Sequence, residues 1–131
     1  MDKHFNKVKN FLFELNYVVK SEIQEDSLMV VENPEAGIDN LIIDCEDPIL
    51  IIELLLFELK EDNYEVFKNL LQKNREVIHG AFALDGDGKK VVFRDTLQLE
   101  NLDRNELQGS LNSLEMMLSE YGNELIGFAK V

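Results

Sequence analysis

The sequence predicts an α+β fold: a twisted antiparallel sheet of about five to six strands packed by three helices, in the order α-β-β-β-β-α-β-β-α. Three observations carry that expectation. Apolar residues at helical spacing occur near the start, in the middle and at the end of the chain. Between them, short apolar runs are separated by Pro, Gly, Asn and Asp, the residues that turn a chain. Residues 70–103, LLQKNREVIHGAFALDGDGKKVVFRDTLQLENLD, read as a helix end, a strand, a Gly/Asp turn, a second strand and a helix start.

Phe5, Val8, Leu12 and Leu15 set the first helix over about residues 3 to 16, with Asp2 as N-cap and Asn16 as a left-handed stop. Phe13 and Tyr17 fall off its apolar stripe. Val18 to Gln24 and Leu28 to Val31 read as strands joined by a turn at Glu25, Asp26 and Ser27. Asn33 to Gly37 is a loop, and Leu41, Ile42 and Ile43 form a third strand. After the turn Glu46-Asp47-Pro48 comes Ile49 to Phe57, nine residues broken only by Glu53. Periodicity alone allows a buried helix here. The proline turn before it favours a strand buried on both faces.

Asp62, with Glu65 three residues on, is the expected cap of a second helix bearing Tyr64, Phe67, Leu70 and Leu71 and closed by Asn74. In the run from Ile78 to Leu84, Ile78, Phe82 and Leu84 share one face. Val91, Phe93, Leu97 and Leu99 alternate after the turn, giving a hairpin with one core face. Asp103 and Glu106 predict a capping box on the last helix. Its stripe is Leu107, Leu111, Leu114, Leu118, Tyr121, Leu125 and Phe128. A coiled coil is one reading of that stripe. The flanking Gln108, Ser110, Met117 and Gly122 lack seam charges, which favours packing across the sheet. Gly109 and Gly122 inside the helix point to close approach to a strand or to a bend.

At 131 residues, with no repeat, low-complexity segment or visible boundary, residues 1–131 are expected to form one domain. Acids outnumber bases 26 to 13, for a formal net charge of -13. That field repels nucleic-acid backbones and anionic lipid, so neither partner is expected. The acids run along the chain rather than pooling in a tail, the pattern of a solubilising surface more than of an acidic docking face. The charged N-terminal stretch is no signal peptide, and Ile49 to Phe57 is too short to span a bilayer, so a cytoplasmic location is expected.

Reactive constellations are missing. Asp85-Gly86-Asp87-Gly88 fails as a calcium loop, because Lys89 and Lys90 fall where ligand and glycine belong. A hairpin turn is the better reading. His4, His79 and the lone Cys45 lack the spacing of a metal site. Cys45 reads as a small buried hydrophobe, although Cys45 with His79 as nucleophile and base remains open from sequence. No catalytic residue, metal or cofactor is therefore expected.

The remaining signal is surplus apolar surface. A strand apolar on both faces, with only three helices to cover it, calls for a partner, and a second copy across a two-fold axis is the expected one. Ile51, Leu55 and Phe57 are the candidates for that dimer interface. Phe13 and Tyr17 are the candidates for contact with a client protein. The alternative is a monomer whose helices wrap both faces.

Leu70-Leu71, Asn74, Gly80 through Asp85, Val91 through Leu99, and Leu102-Asp103 together resemble the type III secretion chaperone-like fold, the CesT/Tir chaperone and YbjN-like group. The resemblance is carried by apolar spacing over about residues 62 to 128 and is topological before that. It implies a homodimer with helices on an antiparallel sheet, no catalytic residues, and non-enzymatic, ATP-independent binding of an extended segment of a client or effector protein by apolar patches and sheet edges. The alternative it leaves open is a YbjN-like regulatory or small-ligand sensor domain without a secretion role.

Overall fold

A computed structural model describes residues 3–131. Its elements are α1 (Lys3–Glu14), β1 (Val18–Ile23), β2 (Leu28–Asn33), β3 (Ile38–Glu46), β4 (Ile49–Glu58), α2 (Tyr64–Lys73), β5 (Ala81–Leu84), β6 (Lys90–Gln98) and α3 (Arg104–Ala129). The element order is the one expected. All six strands join one antiparallel sheet with the spatial order β1-β2-β3-β4-β6-β5.

Local chemistry fixes the turns. Asn16 ends α1 in the left-handed region at φ 71°; the expected cap Asp2 lies outside the described residues. Short 3₁₀ turns at Gln24–Asp26 and Pro34–Ala36 each close on a left-handed residue, Ser27 and Gly37. The Asp85 carboxylate accepts the Lys89 and Lys90 amides at 3.0 Å each, which folds the β5–β6 turn and keeps its pKa below the usual carboxylate range. Asp103 and Glu106 form the expected capping box on α3. For α2 the cap is Asn63, not Asp62: its side chain accepts the Val66 amide at 3.2 Å.

Directly opposed residues in an antiparallel pair share a sheet face, so the register assigns faces. Met29, Ile43, Ile52 and Asp95 form one cross-strand row. This face packs against the helices, and all three contribute to the same core: Phe5, Val8 and Leu12 from α1, Val66 and Leu70 from α2, Leu107, Leu111 and Leu114 from α3. Ser110 on α3 donates to Asp95 at 2.7 Å and ties the helix to β6. The α3 stripe thus packs across the sheet, as read from its flanks. Neither helix glycine serves a close approach to a strand. A Cβ on Gly109 would meet the His79 ring at 3.6 Å, an ordinary contact, and one on Gly122 would meet nothing within 4 Å.

Two further expectations are corrected. The strand expected from Ile78 begins only at Ala81. Gly80 stops it: its φ is +86°, and a Cβ there would sit 2.7 Å from the Phe93 ring. Ile78 is consequently exposed; Leu84, although paired with Val91 at the end of β5, is 45% exposed, leaving Phe82 as the core residue of the strand. The second correction concerns β4, which is covered on one face only. Leu50, Ile52 and Leu54 are buried against the helices, whereas Leu55 is 53% exposed on the other side.

Candidate protein-binding surface

The uncovered face is built from three cross-strand rows. Ser21, Val30, Ile42, Glu53, Arg94 and Ala81 form one. Ile23, Leu28, Asp44, Ile51 and Thr96 form the next. Leu55, Val92 and Ala83 form a third. Five strands thus present Ile23, Leu28, Val30, Ile42, Ile51, Leu55 and Val92 away from the helices, although Val92 is only 5% exposed. None of these belongs to the hydrophobic core. Contiguous apolar surface of this kind marks a contact site.

Of the dimer candidates, Ile51 and Leu55 stand on this face and Phe57 does not. A bulge between Leu55 and Phe57 shifts the alternation by one residue. Phe57 is 7% exposed and packs on Phe128, with ring centroids 6.2 Å apart. The run of apolar letters gave no sign of the bulge, so strict alternation put Phe57 with Ile51 and Leu55.

The client candidates Phe13 and Tyr17 do come together, with different exposure. Both line a hollow of about 620 Å³ at the start of β1, beside Val18 and Pro34. Phe13 is 79% exposed, whereas Tyr17 is 2% exposed and forms part of the core. The Tyr17 hydroxyl donates to Glu115 at 2.7 Å, and burial together with that carboxylate drives its pKa well above the usual phenol value. Tyr17 therefore anchors α3 to the start of β1, and Phe13 is the ring free to touch a partner.

The two sheet edges differ. At β5 the Phe82 amide donates to Asn74 Oδ1 at 2.7 Å, and the Asn74 amide donates to the Phe82 carbonyl at 3.2 Å. One side chain thereby copies the bonds of an absent strand and closes the edge there. The edge at β1 has no such cap among the described residues and is broken only by the bulge between Val19 and Ser21. From sequence Asn74 reads as a helix stop and as part of the family resemblance; its place on the β5 edge appears only once that strand is folded beside it.

Cys45 and His79 do not come together. Cys45 is buried on the helix side of β3, and burial pushes its thiol up to about 11. His79 lies exposed in the loop before β5, with β4 and β6 between that strand and β3. Its main chain is clamped to α3: the His79 amide donates to Ser113 Oγ at 3.1 Å and Ser113 Oγ donates to the His79 carbonyl at 2.7 Å. Among the described residues, no three His, Cys, Asp or Glu side chains converge as metal ligands. No helix among them is long and apolar enough to cross a membrane.

A sheet backed by three helices on one face, in this strand order, is the secretion-chaperone-like α+β fold. Residues 1–131 match the family described as CesT_Tir_1, and the chain belongs to that family. A comparison with curated proteins finds no match. Among solved structures, YbjN from E. coli is similar at a TM-score of 0.68 and 14% identity, over 92% of each chain. A chain of the ExoU–SpcU complex from the type III secretion system of Pseudomonas aeruginosa gives 0.53 at 17% identity, over 68% of this chain and 73% of that one. A chain of the HopA1–SchA chaperone–effector complex gives 0.52 at 12% identity, over 100% of this chain and 99% of that one.

Proposed function

We propose that this protein is a non-enzymatic binding module that holds an extended segment of a client protein, in the manner of a secretion chaperone. The observation that carries the reading is the open sheet face: Leu28, Val30, Ile42, Ile51 and Leu55 lie side by side with no helix over them. The uncapped β1 edge and the exposed Phe13 ring extend that surface around one side of the sheet. Apolar pockets beside a free strand edge suit an extended polypeptide, whose main chain supplies affinity and whose alternate side chains supply specificity. That relatives in fold occur in chaperone–effector complexes supports the same reading.

A second reading is a homodimer in which another copy covers the face through Ile51 and Leu55. Its support is the same apolar exposure, since a bare apolar sheet face is a common isologous interface. One experiment addresses both. Peptides selected from a random display library on the purified chain are expected to lose binding when Leu55→Glu or Val30→Glu is introduced. Sedimentation at micromolar concentration reports whether a second copy is bound. A library that yields no binder, or binders indifferent to both substitutions, refutes the client reading.

A further inference from the structure

The acids run along the chain, but the bases do not match them evenly. Residues 21–59 contain 11 of the 26 acids and no Lys or Arg. That segment supplies half of β1 and all of β2, β3 and β4, so folding gathers the deficit of cations into one part of the sheet.

On the open face the imbalance centres on Asp44. Its cross-strand neighbours are Leu28 and Ile51, so the carboxylate stands among apolar side chains. Its ion-pair partner is missing among the described residues, although three cations share the face; Lys90 stands opposite Glu58, at the far end of β6 from the Asp44 row. Lys20 is engaged by Asp39 at 2.8 Å and Glu32 at 3.9 Å, and Arg94 by Glu53 at 3.4 Å. The charges that reach Asp44 are Glu46, Asp26 and Glu53, all of its own sign. Partial burial first, and those neighbours second, raise its pKa. An anion held in apolar surroundings with only like charges nearby is an unfilled half of an ion pair. A second copy cannot fill it well, because an isologous contact sets the same acidic strands against each other.

Resting on the client-binding reading above, we propose that the open face of β2, β3 and β4 takes an extended client segment carrying both apolar and basic side chains, with a Lys or Arg seated on Asp44. The apolar side chains lie over Ile42, Ile51 and Leu55, and the low polarity around Asp44 strengthens the charge pair relative to one in open water. The charge term selects among apolar segments that the face alone would not distinguish.

The test uses the full chain and three synthetic peptides of equal length. One carries Ile/Val with Lys/Arg, one the same apolar residues with Glu in the basic positions, and one the basic residues with Ser in the apolar positions. Fluorescence anisotropy is expected to show binding of the first alone, weakening as salt rises. Asp44→Asn is expected to weaken it about tenfold and Asp44→Lys to abolish it. Glu100→Gln, an equal charge change in an exposed turn, is expected to leave it unchanged; circular dichroism checks that each variant is folded. If the acidic peptide binds as well as the basic one, or Asp44→Asn has no effect, this inference fails while client binding survives. If no peptide binds, both fail. A dimer at micromolar concentration that Leu55→Glu dissociates overturns the proposal in favour of a second copy on the face.

Discussion

Asn74 shows how much a single side chain settles here. Its amide fills both main-chain positions of Phe82 on the outer side of β5. Asn74→Ala leaves both groups without a protein partner, at a cost of about 1–3 kcal/mol. Urea denaturation is expected to show that loss, and light scattering is expected to show association that grows with concentration through the opened edge. Cys45 sets a different dependence. Its folded pKa of about 11 lies above the ordinary thiol value of 9.0, so the unfolded chain releases the proton first. Its contribution to stability is therefore complete below pH 9 and is lost as pH rises through 11, by about 2–3 kcal/mol. Cys45→Ala should flatten that part of the stability profile in urea melts across this range. Asp44 runs the other way. A carboxylate whose folded pKa is raised weakens the fold while it is charged, and the cost is relieved as pH falls through that pKa. Asp44→Asn is expected to raise the thermal midpoint at neutral pH, with the gain vanishing in acid.

Among the elements, α3 was read from the sequence with its cap, face and packing intact, because Asp103 and Glu106 stand at fixed capping spacing and its leucines hold helical spacing over 26 residues. Asp103→Ala should cost about 1 kcal/mol in chemical denaturation, since it leaves the Glu106 amide without its acceptor. The start of α2 was less legible. Asp62 and Asn63 both have capping side chains, and Asn63 is chosen because the helix must begin where Val66 and Leu70 reach the core. The early limit of β5 was hidden for another reason. Ile78-His79-Gly80 alternates well enough for a strand, but only the fold reveals that the Phe93 ring lies against Gly80. Phe57 is the same kind of miss: a bulge depends on register with the neighbouring strand, which local alternation does not encode.

Taken whole, the molecule puts its helices on one face of the sheet and gathers the strands that lack cations, β2 to β4, side by side within it. The surplus of apolar sheet was visible in the letters of residues 49–57. The positions that carry it across the strands, Leu28, Val30, Ile42 and Val92, were not, because they become neighbours only through pairing. Val92 differs from the other three: it shares their face but is 5% exposed, so it adds little open surface. The gathered acids also tax the fold itself by mutual repulsion: residues 21–59 hold no cation of their own, and the ion pairs that Lys9, Lys20 and Arg94 bring from outside reach only Glu22, Glu32, Asp39 and Glu53. Thermal melting is expected to shift upward on going from low to moderate sodium chloride, as screening relieves that repulsion. A midpoint unmoved by salt would show that the strands tolerate the crowding unaided.

The bulge in β4 has one more effect. Beyond Leu55 the strand turns its apolar side chains inward, Leu56 packing against the core and Phe57 against Phe128. Flat ground along β4 thus runs from Ile49 to Leu55, roughly 20 Å at the rise of an extended chain. Any guest laid parallel to that strand meets a yardstick of about six residues. Past it, the guest must bend away or climb over the rim.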